Sequence, residues 1–163
     1  MTRAIASFLY VGFLRPASGT WGSAAAVIVG TLLHVAGGPL LLVLGIAAAF
    51  GIGYWATRAE TRDTPGADPS WIVIDEVAGQ WIALLPVSIG AAHAGAGVLA
   101  LWPGLLTAFL AFRLFDIWKP GPVGWADRRH DALGIMLDDV IAGLMAAVVV
   151  VIAAGLFHGA LGL

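Results

Sequence analysis

Long apolar stretches alternate with short polar blocks along this chain. Charged residues fall only within 3–15, 58–76 and 113–139, and none occurs in 16–57, 77–112 or 140–163. A spanning helix needs about 20 apolar residues. The first two stretches are therefore each long enough for a hairpin of two spans, and the last for one. The first is broken at His34-Val35-Ala36-Gly37-Gly38-Pro39 and the second at Gly90-Ala91-Ala92-His93-Ala94-Gly95-Ala96-Gly97, turns by their Gly and Pro content. The pattern predicts an all-α polytopic membrane helical bundle of about five spans in a single domain, 1–163. The spans are expected near 20–35, 40–57, 77–92, 98–117 and 139–158. The first, opening at Gly19-Thr20-Trp21-Gly22-Ser23, is also readable as a re-entrant or tilted segment.

With two hairpins, every charged block lands on one side of the membrane. All 8 Lys and Arg are then on that side, which the positive-inside rule makes cytoplasmic, with the N-terminus inside. Trp21, Trp55, Trp71, Trp118 and Trp125 lie near the same side, as an interfacial aromatic belt would. Small residues recur at four-residue spacing, Gly22, Ala26 and Gly30 in the first span and Gly45, Ala49 and Gly53 in the second. That spacing lets helix backbones approach closely within one bundle.

Composition agrees with the pattern. Hydrophobic residues make up 60% and charged residues 11%, against about 25% charged in an average soluble domain. The net charge of −2 points to no nucleic acid, and the absence of cysteine excludes disulfides, thiolate catalysis and cysteine metal sites. Arg3 gives only a thin positive start, and the apolar run after it is cut by Gly12, Arg15 and Pro16. The N-terminus is therefore not expected to be a signal peptide.

The candidate chemistry sits at span ends. Asp75 and Glu76 open the third span, where helix dipole complementarity alone would favour acids. Glu76 and Gln80, four apart, share a face and carry polarity one turn into the span. Arg113, Asp116 and Lys119 are spaced by three and line one face if their helix runs to Pro120. Asp116 lies at a helix C-terminus, where the dipole disfavours an acid, so it either pairs with Arg113 or Lys119 or serves a function. Asp138 and Asp139 open the last span. Asp138 reads equally as an N-cap and as a functional acid, and Gly143, one turn beyond Asp139, is expected to leave room for a ligand.

Five carboxylates from three spans thus meet at one membrane depth. Like charges that close resist ionisation unless a cation holds them apart. An all-oxygen set without His or Cys suits Mg²⁺, which commonly binds phosphate as well. Arg113, Lys119, Arg128 and Arg129 offer phosphate-binding cations. At headgroup level, this combination points to phosphoryl chemistry on a phospholipid. The loop from Arg15 to Ser23 is either a turn and cap or an anion-binding helix start. His34, His93 and His158 are expected to be inert on or near the far side, His130 to be solvated, and Arg58 to Asp63 to form a solvated loop.

At these residues the chain resembles the phosphatidylglycerophosphatase A family of bacterial membrane lipid phosphatases. Gly19-Thr20-Trp21-Gly22-Ser23 is similar to the family's Pro-Gly-Thr-x-Gly-Ser, with Ser18 standing where Pro is usual. Asp68-Pro69 through Asp75-Glu76-Val77-Ala78-Gly79 resembles its Asp-Pro and Asp-Glu-x-x-Gly block. Phe112 through Pro122, followed by Gly134 through Gly143, is close to its longest signature, with Asp131-Ala132-Leu133-Gly134 replacing a more Gly-rich approach. The resemblance implies Mg²⁺-dependent hydrolysis of phosphatidylglycerophosphate at the cytoplasmic face of a bacterial inner membrane. It carries the acidic roles to Asp75, Glu76, Asp116, Asp138 and Asp139, and the basic ones to Arg113 and Lys119.

The expected site holds Mg²⁺ on Glu76, Asp116 and Asp139, with Asp75 and Asp138 as further ligands or outer partners. Arg113 and Lys119 are expected to clamp the terminal phosphate, with Thr20, Ser23 and Arg15 as additional substrate contacts. The nucleophile is either water or one of the carboxylates. Two rivals are a CDP-alcohol-type lipid phosphotransferase, whose Asp-x-x-Asp-Gly-x-x-Ala-Arg run is absent, and a small cation transporter, whose acids should lie at midspan rather than at span ends.

Overall fold

The computed structural model describes residues 1–64 and 66–161, with side chains through Phe157. His158 lies outside the described side chains. The chain is helical throughout: α1 (Thr2–Ala6), α2 (Ser18–Glu60), α3 (Ile74–Ala94), α4 (Trp102–Trp118), α5 (Pro122–Asp127) and α6 (Ala132–Leu161), with short 3-10 turns at Val11–Phe13 and Val98–Leu101. Among the described residues, four helices are long and apolar enough to cross a membrane, α2, α3, α4 with its preceding turn, and α6.

Helix α2 is two spans joined at the break read from the sequence. Gly37 leaves the helical region, and Gly38 takes φ 64 and ψ −158, a combination open essentially to glycine alone. Pro39 then starts the second arm with φ already set. The arms run antiparallel along α3. A Cβ on Gly22 of the first arm would meet Val73, and one on Gly53 of the second would meet Ile74, each at 2.9 Å. Further along, Gly30 and Gly45 both back onto Trp81. The small-residue stripes therefore pack the arms against α3. Trp81 locks the contact by donating its indole N–H to the Ala26 carbonyl at 2.7 Å. The first arm follows α3 from Val73 to Ser88, whose hydroxyl meets His34 Nδ1 at 2.7 Å. Residues 18–36 extend about 28 Å at 1.5 Å per residue, close to the hydrocarbon thickness of about 30 Å.

Helix α3 is the most enclosed of the four candidates, flanked by α2, α4 and α6. Helices α3 and α6 cross where two glycines meet. A Cβ on Gly143 would lie 2.9 Å from Gly79 Cα, and one on Gly79 would strike the Asp139 carbonyl and lie 2.6 Å from the Phe112 ring. Gly143 therefore leaves no room for a ligand, contrary to the expectation; the backbone of α3 fills that space.

Two helix boundaries differ from the sequence reading. Helix α6 begins at Ala132, well before the double Asp, because Asp131 caps it: its carboxylate accepts the Gly134 N–H at 2.7 Å. Asp138 is thus inside the helix and not its N-cap. Helix α4 ends at Trp118, and Lys119 turns into the left-handed region at φ 49, so Lys119 leaves the face shared by Arg113 and Asp116.

The N-terminal segment folds back over the charged end. The Val73 N–H donates to the Ala6 carbonyl at 2.9 Å, and Thr2 donates to Glu60 at 2.6 Å. Arg3 sits 5.4 Å from the Phe13 ring and 5.2 Å from Trp71, whose rings stack on each other. Glu60 is therefore tied to the N-terminus instead of belonging to a loop of solvated charges.

Candidate active site

The charged end of the bundle holds a cavity of about 830 Å³. Its walls come from the loop before α2, the first turn of α3, the end of α4, α5 and the second turn of α6. All five acids singled out in the sequence line it, together with Arg15, Arg113 and Lys119.

The glycine crossing explains the convergence. Asp75 lies one helical turn before Gly79, and Asp139 one turn before Gly143. Packing the two glycines backbone to backbone sets those turns side by side. One oxygen each from Asp75, Glu76 and Asp139 then falls within 4.8 Å of the others. Asp75 and Asp139 are buried, at 8% and 3% exposure. Glu76 Oε2 and Asp139 Oδ1 are buried without a hydrogen-bond partner. Buried carboxylate oxygens left unpaired are costly, and hard oxygens clustered this tightly fit a hard divalent cation such as Mg²⁺. The trio differs from the one expected, for Asp75 takes the place of Asp116.

Asp116 forms an ion pair with Arg113, which selects Arg113 over Lys119 as its partner. It lines the same cavity as Asp139. Arg113 Nη1 lies 4.0 Å from Glu76 Oε1 and 3.5 Å from Ser23 Oγ. The first turn of α2 presses against this group. A Cβ on Gly19 would collide with Glu76 Oε1 and lie 3.0 Å from Arg113 Nη1. A side chain here would push the guanidinium and carboxylate apart.

Lys119 bridges two acids. Its ammonium pairs with Asp127 and lies 2.8 Å from Asp138 Oδ2. Burial alone would lower its pKa, but Asp127 and Asp138 outweigh that effect and hold it above its ordinary value. Lys119 therefore balances Asp138 and ties down α5.

Other candidates are placed differently. Ser23 is fully buried beneath Arg113 and donates to the Gly19 carbonyl at 2.8 Å. Thr20 is not among the cavity-lining residues. Arg128 and Arg129 also lie outside the lining, and Arg129 pairs with Asp131 at 3.1 Å. That pair and the Gly134 N–H hold the Asp131 carboxyl below its ordinary value. His130 lines the cavity from a left-handed loop position.

The cavity wall holds two acids that the sequence did not single out as site residues. Asp127 on α5 is indistinguishable in sequence from a solvated loop charge. Asp68 stood only within the Asp-Pro motif. Partial desolvation at the cavity wall raises the carboxyl of the otherwise exposed Asp68, with Lys119 opposing and Asp127 and Asp116 adding to the rise. Gln80, one turn deeper than Glu76, is fully buried with neither amide atom paired.

Comparison with known proteins follows the same residues. The family model for Phosphatidylglycerophosphatase A matches residues 4–154. The chain is 36% identical over 141 residues to Phosphatidylglycerophosphatase A of Haemophilus influenzae, covering 85% of this chain and 80% of the relative. It is 35% identical over 147 residues to the protein of the same name from Escherichia coli, covering 85% and 77%. It is 33% identical over 147 residues to a Bacteroides thetaiotaomicron protein named "Putative phosphatidylinositol-3-phosphatase", covering 87% and 86%. No solved structure matches the chain significantly.

Proposed function

Because the chain belongs to the phosphatidylglycerophosphatase A family and is a membrane phosphatase, we propose that it hydrolyses the terminal phosphomonoester of phosphatidylglycerophosphate. The products are phosphatidylglycerol and phosphate, and the step belongs to phospholipid biosynthesis. We place the enzyme in the bacterial inner membrane with its charged end toward the cytoplasm, where all 8 Lys and Arg would lie. The family assignment sets aside the phosphotransferase and transporter readings. The relatives' names differ in headgroup and share a phosphatase acting on a phosphatidyl lipid.

The reading rests above all on the buried Asp75, Glu76 and Asp139 trio, two of whose oxygens are unpartnered, beside the Arg113 guanidinium. In the proposed site the trio would hold Mg²⁺, with Asp116 and Asp138 flanking. When bound, the ion draws charge from phosphoryl oxygens and makes water more acidic. Asp116, Glu76 and Ser23 fix Arg113, which receives the terminal phosphate with two parallel N–H donors. A carboxylate of the cluster takes a proton from the attacking water. As the new P–O bond forms, the ester P–O bond breaks and the glycerol oxygen leaves as a hydroxyl, taking the proton that the carboxylate accepted from water. Asp138, balanced by Lys119, keeps the second wall of the cavity in place.

The test is phosphate release from phosphatidylglycerophosphate by the purified protein, with Mg²⁺ and then with excess chelator. Release that stops on chelation and returns with Mg²⁺ is expected; no release with Mg²⁺ present overturns the reading. Single turnover in oxygen-18 water distinguishes the nucleophile. Label should appear directly in phosphate, and label in a protein carboxylate would replace water attack with a phospho-aspartate path.

A further inference from the structure

Three permanently cationic side chains line the cavity, and the structure sorts them. Arg113 is occupied by Asp116 and Glu76, and Lys119 by Asp127 and Asp138. Among the described residues, Arg15 has no carboxylate partner. It is exposed, in the loop just before α2, whereas the carboxylate trio is enclosed below. Gly19, four residues on, already touches Glu76 and Arg113 at the cavity floor. Arg15, exposed where the trio is enclosed, therefore stands toward the mouth, and among the described residues no side chain accepts from its guanidinium.

The mouth is also apolar. Phe13 and Ile117 line the cavity and expose 41% and 70% of their surfaces. The lining thus combines enclosed anionic oxygens beside a paired guanidinium, an exposed guanidinium without a carboxylate partner, and exposed apolar side chains next to the spanning helices.

A lipid whose headgroup carries two phosphates has a matching set of groups. Its monoester lies at the tip, its phosphodiester one glycerol closer to the bilayer, and its acyl chains beyond. The two non-bridging oxygens of a diester fit a guanidinium fork, which a lysine cannot reproduce. We propose that Arg15 is the subsite for the phosphodiester linking headgroup to diacylglycerol, and that it selects a two-phosphate lipid over a simple phosphomonoester. This rests on the phosphatase reading above.

The experiment compares two inhibitors of turnover in wild type, Arg15→Gln and Arg15→Lys. Phosphatidylglycerol carries the diester and no monoester, while inorganic phosphate occupies the monoester position alone. Loss of a charge-assisted contact should weaken phosphatidylglycerol inhibition by about tenfold or more in Arg15→Gln. Phosphate inhibition should stay within about twofold of wild type, which also reports an intact fold. Arg15→Lys should fall between, because it keeps charge without the fork. Equal weakening of both inhibitors, weakening of phosphate alone, or no change in either overturns the assignment, as does a wild-type enzyme that phosphatidylglycerol does not inhibit. Absence of wild-type phosphate release is a different outcome, and removes the phosphatase reading instead.

Discussion

Gly79 of α3 and Gly143 of α6 meet backbone to backbone, and a Cβ on either would overlap the other helix. Each glycine follows a cluster acid by one helical turn, Asp75 in one helix and Asp139 in the other. The distance between two helices at this single crossing thus sets the distance between their carboxylates.

Gly143→Ala should therefore separate the acids without removing any of them. Overpacking of this kind costs about 1–3 kcal/mol, and displacement of a reacting geometry by about 1 Å costs about a hundredfold in rate. Thermal unfolding and phosphate release from one preparation would check both. A Gly143→Ala protein with wild-type turnover would show that the crossing does not set the site.

Asp139→Asn keeps the shape and removes the charge of a buried, incompletely paired carboxylate. Turnover should fall by more than about a hundredfold, since even outer partners of metal ligands are worth about 10–100-fold. Stability should hold or rise, because a desolvated charge in an acid-rich cluster is removed. Isothermal titration with Mg²⁺ should show weakened binding. Undiminished Mg²⁺ affinity would place the ion elsewhere.

Lys119→Met leaves Asp138 buried without its cation. Breaking a buried pair costs about 3–5 kcal/mol, and Lys119, with a side chain 30% exposed, should cost less, about 1–3 kcal/mol. Adding Asp138→Leu should recover much of that stability and none of the turnover. Recovery of turnover in the double variant would show that Asp138 serves structure only.

Asp131 offers a pH test away from the acid cluster. Arg129 and the Gly134 N–H depress its carboxyl in the folded state, so its stabilisation is present above the ordinary Asp value of about 3.9. It is lost as pH falls through the depressed folded value. Asp131→Ala should remove about 1 kcal/mol at neutral pH, leave turnover unchanged, and flatten the acid limb of the stability profile. An unchanged acid limb would mean that other groups set it.

Charge-free stretches were sufficient to place the membrane-spanning segments, because lipid demands unbroken apolar runs and the break at Gly37-Gly38-Pro39 advertises itself chemically. Asp75 and Glu76 were legible as boundary acids for the same reason. The start of α6 was not. Leu133 to Leu137 supplies apolar residues compatible with loop or helix, and Asp131 reveals itself as the cap only through its bond to Gly134. The exchange of Asp116 for Asp75 in the trio depended on where Arg113 turns, and the pairing of Lys119 depended on a left-handed residue after Trp118. Neither follows from spacing. Helix α5 carries a single acid, Asp127, half-buried against Lys119, in a segment whose polarity looks like an ordinary loop.

The turn at Gly37–Gly38 also bears on how the chain enters the bilayer. Its two arms are joined by residues that carry no fixed charge, and the same holds for the link from α3 to α4. Moving one elementary charge across a membrane potential involves about 2.3 kcal/mol per 100 mV. Neither hairpin carries such a charge across. Insertion of either hairpin should therefore be insensitive to the membrane potential.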